Sequence, residues 1–457
     1  MKDLTTGKPL RCILLFAIPL FIGQLFTLCY SLVDTRIIGS TLSESALAAV
    51  GATITFSDLL TSLSGGLTNG FAIVIATHFG AKDHASMKKA IAGTVVLCIG
   101  TTLLLTILSL LGLPLVLRFL HVPSQLLPQA TAYLRIILIG LLASSLYQMC
   151  AGILRAVGDS YTPLLFLIAG TILNIFLDYG FILGLHTGVA GAAYATVLAQ
   201  VIAGVLCFLY MQKKYPELRL SREDFRISGE MYRRLAATGF SMSFMISFVT
   251  FGTLALQTSI NTLGTNIIVA HTAARKLTGM FMLPFSVFGV TMATYCGQNL
   301  GANRPDRIRR GILDTLLVEA IWVLFVILIA NTMSPVLITL ITASTIPEVL
   351  DNATLYLRVD TAFYLIPAAI TILRNSMQGF GDNRTPLISS ALELIGKVLI
   401  ALFLAPVIGY MGIIMAEPIV WIIMVIPLIV GTLRHPVFRS VRGKALNNNN
   451  PIESGGN

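Results

Sequence analysis

Between Cys12 and Val33 the chain runs for 22 residues without one charged side chain. About 20 apolar residues in a helix cross the ~30 Å hydrocarbon core of a bilayer. Runs of this kind recur along the sequence. Charges and turn residues punctuate twelve of them, at about 12–38, 46–78, 90–117, 129–154, 162–185, 187–210, 235–263, 266–297, 311–332, 352–378, 386–406 and 409–433. Within lipid, only helices and closed barrels satisfy every backbone N–H and C=O. Runs this long and unalternated are helical. Only 11 % of the 457 residues are charged and 55 % are hydrophobic, whereas soluble domains carry about 25 % charged residues. The expected fold class is an all-α membrane protein with twelve transmembrane helices. The run from Cys12 is too long for a signal h-region and no small-residue cleavage site follows it, so it reads as the first membrane helix.

The net charge of +10 would suggest nucleic acid in a soluble protein. Here the basic residues sit in short loops, where topology requires them, and no nucleic-acid partner is implied. With the N-terminus placed in the cytoplasm, inside segments hold 23 of the 31 basic residues. Lys82, Lys88 and Lys89 lie in one inside loop and Arg304, Arg307, Arg309 and Arg310 in another, while the outside loops hold only Arg36 and Arg118. Both termini are thus expected in the cytoplasm of a multi-pass protein of the plasma (inner) membrane. The six cysteines, Cys12, Cys29, Cys98, Cys150, Cys207 and Cys296, are scattered through apolar segments and read as small core residues.

The chain repeats. Residues 130–164 align without a gap to residues 353–387, with 11 of 35 positions identical. Phe79-Gly80-Ala81 is echoed by Leu300-Gly301-Ala302, and Gly188 to Gly191 by Gly409 to Gly412. The repeat therefore covers six helices plus six. Six is even, so both halves enter the membrane in the same direction, as parallel repeats about an axis along the membrane normal. The expected organisation is an N-terminal lobe (1–211), a basic cytoplasmic linker (212–234), a C-terminal lobe (235–434) and a cytoplasmic tail (435–457). Two such lobes around a central cleft suit alternating access. In the tail, Asn447–Asn450 followed by Pro451 is low-complexity and reads as disordered.

The most repeated motif is Gly158-Asp159-x-x-Thr162-Pro163-Leu164, matched by Gly381-Asp382-x-x-Thr385-Pro386-Leu387. Glycine permits an unusual turn, threonine can cap the next helix and proline suits its first turn. The motif reads as a structural helix-turn-helix on the cytoplasmic side, with a gating role as the alternative.

Charges inside apolar runs are costly and point to function. In the first half they are Asp34, Asp58 and Asp178. Counting from the outer helix ends at about 1.5 Å per residue, Asp34, Asp178 and Thr196 fall in one layer of the outer leaflet. Asn174 lies one turn from Asp178, on the same face. This layer offers oxygen ligands for a small cation such as Na⁺, or two carboxyls that share a proton. The structural alternative is a hydrogen-bonded patch that fixes helix packing. Pro19, in mid-helix, removes a backbone hydrogen bond. It is either a static kink or a hinge that bends when the Asp34 group changes charge.

The second half carries Arg275, Lys276, Asp360, Arg374, Glu393, Lys397 and Glu417. Glu393 and Lys397, one helical turn apart, are expected to pair. Asp360 is expected to pair with Arg275 or Lys276, with a substrate or proton role for Lys276 and Asp360 left open. The 15 Met and 24 Phe suit a cavity that accepts many shapes.

Twelve helices in two parallel six-helix lobes resemble the multidrug and toxic compound extrusion (MATE) transporter family. The likeness runs from about Leu10 to Leu433. Its marks are Pro19 with Asp34, Asn174 with Asp178, Thr196, the two Gly-Ala turns and the paired Gly-Asp-x-x-Thr-Pro turns. The resemblance implies Na⁺- or H⁺-driven antiport of lipophilic organic cations. In it, Asp34, Asn174, Asp178 and Thr196 hold the coupling ion and Pro19 permits bending. It implies no cofactor beyond that ion, and the chain reads as a monomer. Some family members place essential acids in helices 7 and 10. Helix 7 here has none, and the helix 10 position falls at Pro367, two turns from Asp360, so coupling is expected in the first lobe.

A lipid-linked oligosaccharide flippase of the same superfamily is the alternative, with Arg275 and Lys276 as its basic candidates. An enzyme is not expected. No DDxxD, HxxxH or HExxH pattern occurs, and the histidines at 78, 84, 121, 186, 271 and 435 are dispersed.

Overall fold

The computed structural model describes residues 3–42, 44–120 and 122–438. The Asn447–Asn450 run and His121 lie outside the described residues. Eleven helices are long and apolar enough to cross a membrane, and one bent pair supplies a twelfth span. In chain order they are α1 (Pro9–Thr41), α2 (Ser45–Gly80), α3 (His84–Leu111), α4 (Leu127–Ala156), α5 (Tyr161–Gly184), α6 (Val189–Lys214), α7 (Gly229–Ile260), α8 (Thr265–Gly301), α9 (Pro305–Thr342), α10 (Pro347–Ala362 with Leu365–Gly379), α11 (Arg384–Ile408) and α12 (Tyr410–Arg434). Described residues form no strand. This is the expected twelve-helix, all-α membrane fold.

Its surface fits lipid rather than water. Leu313, Leu317, Ile321, Leu324 and Leu328 form one stripe along α9, each more than half exposed. A soluble protein does not carry an apolar stripe of that length uncovered.

Two spans depart from the sequence reading, each at a residue that disturbs helical hydrogen bonding. The third ends at Leu111, not near 117, because Gly112 caps it and Pro114 sits in the first turn of a separate short helix, Leu113–Phe119. The tenth is bent by 53° between Ala362 and Leu365. Pro367 has no N–H to offer the carbonyl one turn back, so the ladder cannot run through. The cysteine expectation also needs correction. Cys98, Cys150, Cys207 and Cys296 are buried, but Cys12 is partly exposed and Cys29 exposed, because α1 turns them away from the packed face.

By packing, the chain forms two compact units, one of Leu15–Ser247 and one of Leu4–Leu14 with the residues from Phe248 onward. In the first, α4 packs closely on α2 and α6. A core joins Phe71, Ile75, Met87, Cys150, Leu154, Cys207 and Leu218. Small residues let the helices approach: Gly70 faces the backbone of Gly239, and Gly140 faces Val197. In the second unit, a core joins Ala270, Ala274, Leu277, Ile338, Tyr356, Leu357 and Ile414. There the buried Arg307 donates to the carbonyls of Leu4 (3.0 Å), Thr6 (3.2 Å) and Gly7 (2.5 Å), and to Asn299 Oδ1 (2.9 Å).

The repeat is visible inside the units. Gly188 and Gly409 share one unusual conformation, φ 62°, ψ −141° and φ 61°, ψ −138°. Lys82 and Asn303, each two residues past the matched glycine, both have positive φ (59° and 53°). A π-helical turn ends α5 at Gly180–Gly184, and another occurs in α11 at Ile400–Leu404.

Candidate functional site

The first unit brings Asp34, Asn174 and Asp178 together and adds Tyr30. α1 supplies Tyr30 and Asp34, one turn apart on one face; α5 supplies Asn174 and Asp178 in the same register. The Tyr30 hydroxyl donates a short hydrogen bond to Asn174 Oδ1 and lies 3.5 Å from Asp34 Oδ1. Asn174 Nδ2 donates to Asp178 Oδ2 at 2.9 Å. The Asp34 and Asp178 carboxyls face each other within interaction range. Thr196, from α6, reaches the Tyr30 hydroxyl and donates its own proton to the Ala192 carbonyl at 3.0 Å. Asn174 and Asp178 are buried, and Asp34 is half-buried. The buried Tyr133 of α4 closes one wall. Asp58, in α2, is exposed and outside this hydrogen-bonded group.

The hydrogen bonds can be accounted for in full. Tyr30 spends its one proton on Asn174, and the Asn174 amide spends an N–H on Asp178. Among the described residues, Asp178 Oδ1 is then left buried without a hydrogen-bond partner. A buried acceptor in that condition costs about 1–3 kcal/mol. Two facing carboxylates also repel when both are ionised. One proton or one small cation relieves both costs, and an all-oxygen donor set suits a hard cation. No group of three or more His, Cys, Asp or Glu able to hold a metal occurs among the described residues.

Sequence spacing did not single out Tyr30 or Tyr133. Tyr30 was within reach, because it precedes Asp34 by one turn. Tyr133 lies on α4, and nothing in its spacing ties it to α1 or α5. Pro19 sits inside α1, which stays helical around it.

In the second unit, Lys397 Nζ lies 2.8 Å from Glu393 Oε1, as expected, but also 3.1 Å from Glu417 Oε1. The expected pairing of Asp360 with Arg275 or Lys276 is not formed. Arg275 Nη1 takes Glu417 Oε1 instead, at 3.3 Å, because α12 brings that carboxylate across to α8. Lys276 is exposed. Asp360 is fully buried with no hydrogen-bond partner on either carboxyl oxygen among the described residues. Arg374 Nη1 donates to Ser390 Oγ at 3.3 Å. Glu319, overlooked in the sequence, is another fully buried acid, with both oxygens unpartnered among the described residues. An acid well inside the apolar run of α9 was its signal.

The repeated turn is structural, with one correction. Gly158 and Gly381 adopt positive φ (83° and 96°), but the aspartates, not the threonines, do the capping. Asp159 Oδ1 accepts from the Thr162 N–H (2.9 Å) and Asp159 Oδ2 from the Thr162 hydroxyl (2.6 Å). Asp382 does the same for Thr385, at 3.1 and 2.7 Å. Tyr215 also donates to Asp159 Oδ2 (2.5 Å) and Lys214 Nζ lies 3.4 Å away. Burial opposes the Asp159 charge, but the Thr162 and Tyr215 hydrogen bonds and the Lys214 ammonium outweigh it and hold the carboxyl below its usual range.

Comparison with known proteins agrees with this architecture. The MatE family pattern matches twice, at residues 19–180 and 241–403, once in each half. The chain is 29 % identical over 307 residues to the Bacillus subtilis (strain 168) protein named Probable multidrug resistance protein YpnP, covering 67 % of this chain and 68 % of that one. It is 23 % identical over 387 residues to Probable multidrug resistance protein NorM of Thermotoga maritima, covering 83 % and 82 %. A solved structure described as the outward-facing conformation of a multidrug resistance MATE family transporter superposes with a TM-score of 0.84. That likeness is at 22 % identity and covers 98 % of each chain. A doubled family pattern on a doubled six-helix fold leaves one assignment: the chain belongs to the MATE family of multidrug efflux transporters, multi-pass membrane proteins that move small molecules rather than convert them.

Proposed function

We propose that this chain is a cation-coupled antiporter that exports lipophilic organic cations by alternating access, with Na⁺ or H⁺ as the coupling ion. The observation that carries this reading is the buried, unpartnered Asp178 Oδ1 beside the Asp34 carboxyl. Asp34, Asp178, Asn174 Oδ1 and Thr196 Oγ1 would hold the ion, which is a transported substrate and not a resident cofactor. Asn174 Oδ1 is now committed to the Tyr30 hydroxyl. Ion binding exchanges that hydrogen bond for coordination and so acts on α1, four residues before Asp34. Pro19 already lacks one backbone hydrogen bond, so it is where α1 bends in response.

The inside excess of Lys and Arg supports cytoplasmic termini in the plasma (inner) membrane. We take the working unit to be a single copy with an N-terminal lobe (1–211), a linker (212–234) and a C-terminal lobe (235–434). The names of the relatives support drug export and lend nothing to the flippase alternative.

The test is dye efflux from proteoliposomes with Na⁺ and pH gradients imposed separately. Asp34→Asn and Asp178→Asn are expected to lose gradient-driven efflux while still binding dye. If both variants transport like the wild type, the coupling assignment is wrong.

A further inference from the structure

The segment between α6 and α7 is folded onto the first unit. Tyr215 donates to Asp159 Oδ2 at 2.5 Å, and Leu218 is fully buried in the core that holds Phe71 and Met87. Asp224 Oδ2 accepts from the Ser221 N–H (2.7 Å) and the Ser221 hydroxyl (2.8 Å), which closes a tight local cap. Further on, the Ile227 and Leu235 side chains lie over Gly93 of α3.

This docking gathers charge. Asp224 lies within interaction range of Lys88 and Lys89, near the start of α3, and Arg222 and Arg226 stand two residues to either side of it. Lys89, Arg222 and Arg226 are exposed, and Lys88 is partly so. In this group four cations stand against two acids, Glu223 and Asp224. None of the four comes within ion-pair distance of a carboxylate among the described residues. The turn between α8 and α9 is basic too, but its charges are spent. Arg304 pairs with Asp306 at 3.3 Å and Arg310 with Asp314 at 2.9 Å.

The cluster also sits at an edge in surface chemistry. α3 exposes Val96, Ile99 and Leu103 along one face. Lys89 lies two turns before Val96 on that same face, so the apolar stripe gives way to charge there. Phe225, between the two arginines, is 45 % exposed. An exposed aromatic ring among cations, at the end of an apolar face, suits a segment seated among lipid headgroups. Guanidinium groups also match phosphate with two parallel hydrogen bonds.

We propose that the folded linker and the start of α3 form a binding surface for anionic phospholipid headgroups. Arg222, Arg226, Lys88 and Lys89 meet the phosphates, and Phe225 meets the upper part of the acyl chains. Because the linker is already docked, little of it has to be ordered when lipid binds.

Native mass spectrometry of the full chain in detergent tests this, with phosphatidylglycerol and phosphatidylcholine of matched acyl chains as the probes. Each basic side chain at an anionic surface is worth about fivefold in affinity. The wild type is therefore expected to hold phosphatidylglycerol at least about tenfold more tightly than phosphatidylcholine. Arg222→Gln with Arg226→Gln should remove most of that preference, and Phe225→Ser should weaken both lipids. Arg304→Gln with Arg310→Gln removes as many charges from paired positions and should leave the preference unchanged. All five residues are exposed, so the variants should fold, and their melting profiles check this. Equal retention of the two lipids by the wild type overturns the proposal and leaves the patch to an acidic soluble partner. Equal loss in both arginine pairs overturns it as well, because net charge alone then explains the binding. Excess inorganic phosphate should not displace the lipid; if it does, the surface takes a free anion and the lipid assignment is wrong. The assay uses neither gradient nor drug, so failure of the Asp34–Asp178 coupling scheme leaves it untouched.

Discussion

Glu417→Gln is expected to destabilise the protein more than Glu393→Gln, although both remove one buried carboxylate from the same network. Glu417 Oε1 accepts from Arg275 at 3.3 Å and from Lys397 at 3.1 Å, whereas Glu393 Oε1 accepts from Lys397 alone, at 2.8 Å. Without Glu393, the nearly inaccessible Lys397 (1 % exposed) still has Glu417. The loss is then one charge-assisted hydrogen bond, about 1.5–3 kcal/mol. Without Glu417, Arg275 loses its ion-pair partner and keeps only the more distant Asp360, while Lys397 keeps only Glu393. Stranding a buried charge costs about 3–5 kcal/mol. The Arg275 side chain is 34 % exposed, which places the cost near the lower end, about 3 kcal/mol. Lys397→Met supplies an internal control. Alone it strands Glu393; combined with Glu393→Gln it removes a cation and an anion together and leaves Arg275–Glu417 intact. The double variant should therefore be the more stable of the two. The assay is the loss of the monodisperse peak on heating detergent-solubilised protein, followed by fluorescence-detected size exclusion and read as a rank order because such unfolding is irreversible. Glu417→Gln no worse than Glu393→Gln, or Lys397→Met at least as stable as the double variant, would refute the assignment of Glu417 as the shared partner.

Asp159→Asn should lower the apparent melting temperature at neutral pH, by the ~1–3 kcal/mol of a stranded buried network. Because the folded carboxyl titrates below its ordinary value, its contribution is complete above the unfolded pKa of about 3.9 and is lost as pH falls through the folded one. The gap between wild type and variant should stay flat from pH 7 to 5, and a gap that closes in that interval contradicts the assignment. Tyr30→Phe removes the hydroxyl that donates to the buried Asn174 Oδ1. It should shift the ion concentration for half-maximal efflux about tenfold, equivalent to ~1.4 kcal/mol, and an unchanged ion dependence would exclude the hydroxyl from the site. Gly70→Ala places a methyl 2.5 Å from Gly239 Cα and 2.6 Å from the Thr238 carbonyl oxygen, backbone that cannot swing aside. It should cost about 1–3 kcal/mol, whereas Gly51→Ala, with nothing within 4 Å, should be neutral or stabilising. Melting in the same assay ranks the two, and the reverse order would contradict the close approach of α2 to the Gly239 backbone.

Much of this architecture is written in local terms and can be read without coordinates. Whether a segment spans a bilayer depends on its own length and polarity, so all twelve spans were legible, with boundaries within six residues except at the end of α9, which runs to Thr342 rather than 332. Pairs one turn apart were legible too, because helical geometry alone sets their distance. Asn174 meets Asp178, and Glu393 meets Lys397, for that reason. The internal repeat needed only identity at a constant offset, and the positive-φ glycines at 158 and 381 follow from it.

What local terms could not settle was partner choice between helices. Arg275 had two plausible carboxylates and took Glu417 over Asp360, a choice made by the rotation and tilt of α8 against α12. Tyr30 stood in view on α1, but only the approach of α5 turned its hydroxyl toward Asn174. The bend in α10 was likewise hidden. A membrane span tolerates a proline when its neighbours re-satisfy the freed backbone groups, so Pro367 by itself does not announce a 53° break. Spacing along one helix is set by covalent geometry and is therefore carried by the sequence. Spacing between helices is set by how hundreds of side chains pack at once, and only the tertiary structure holds that answer.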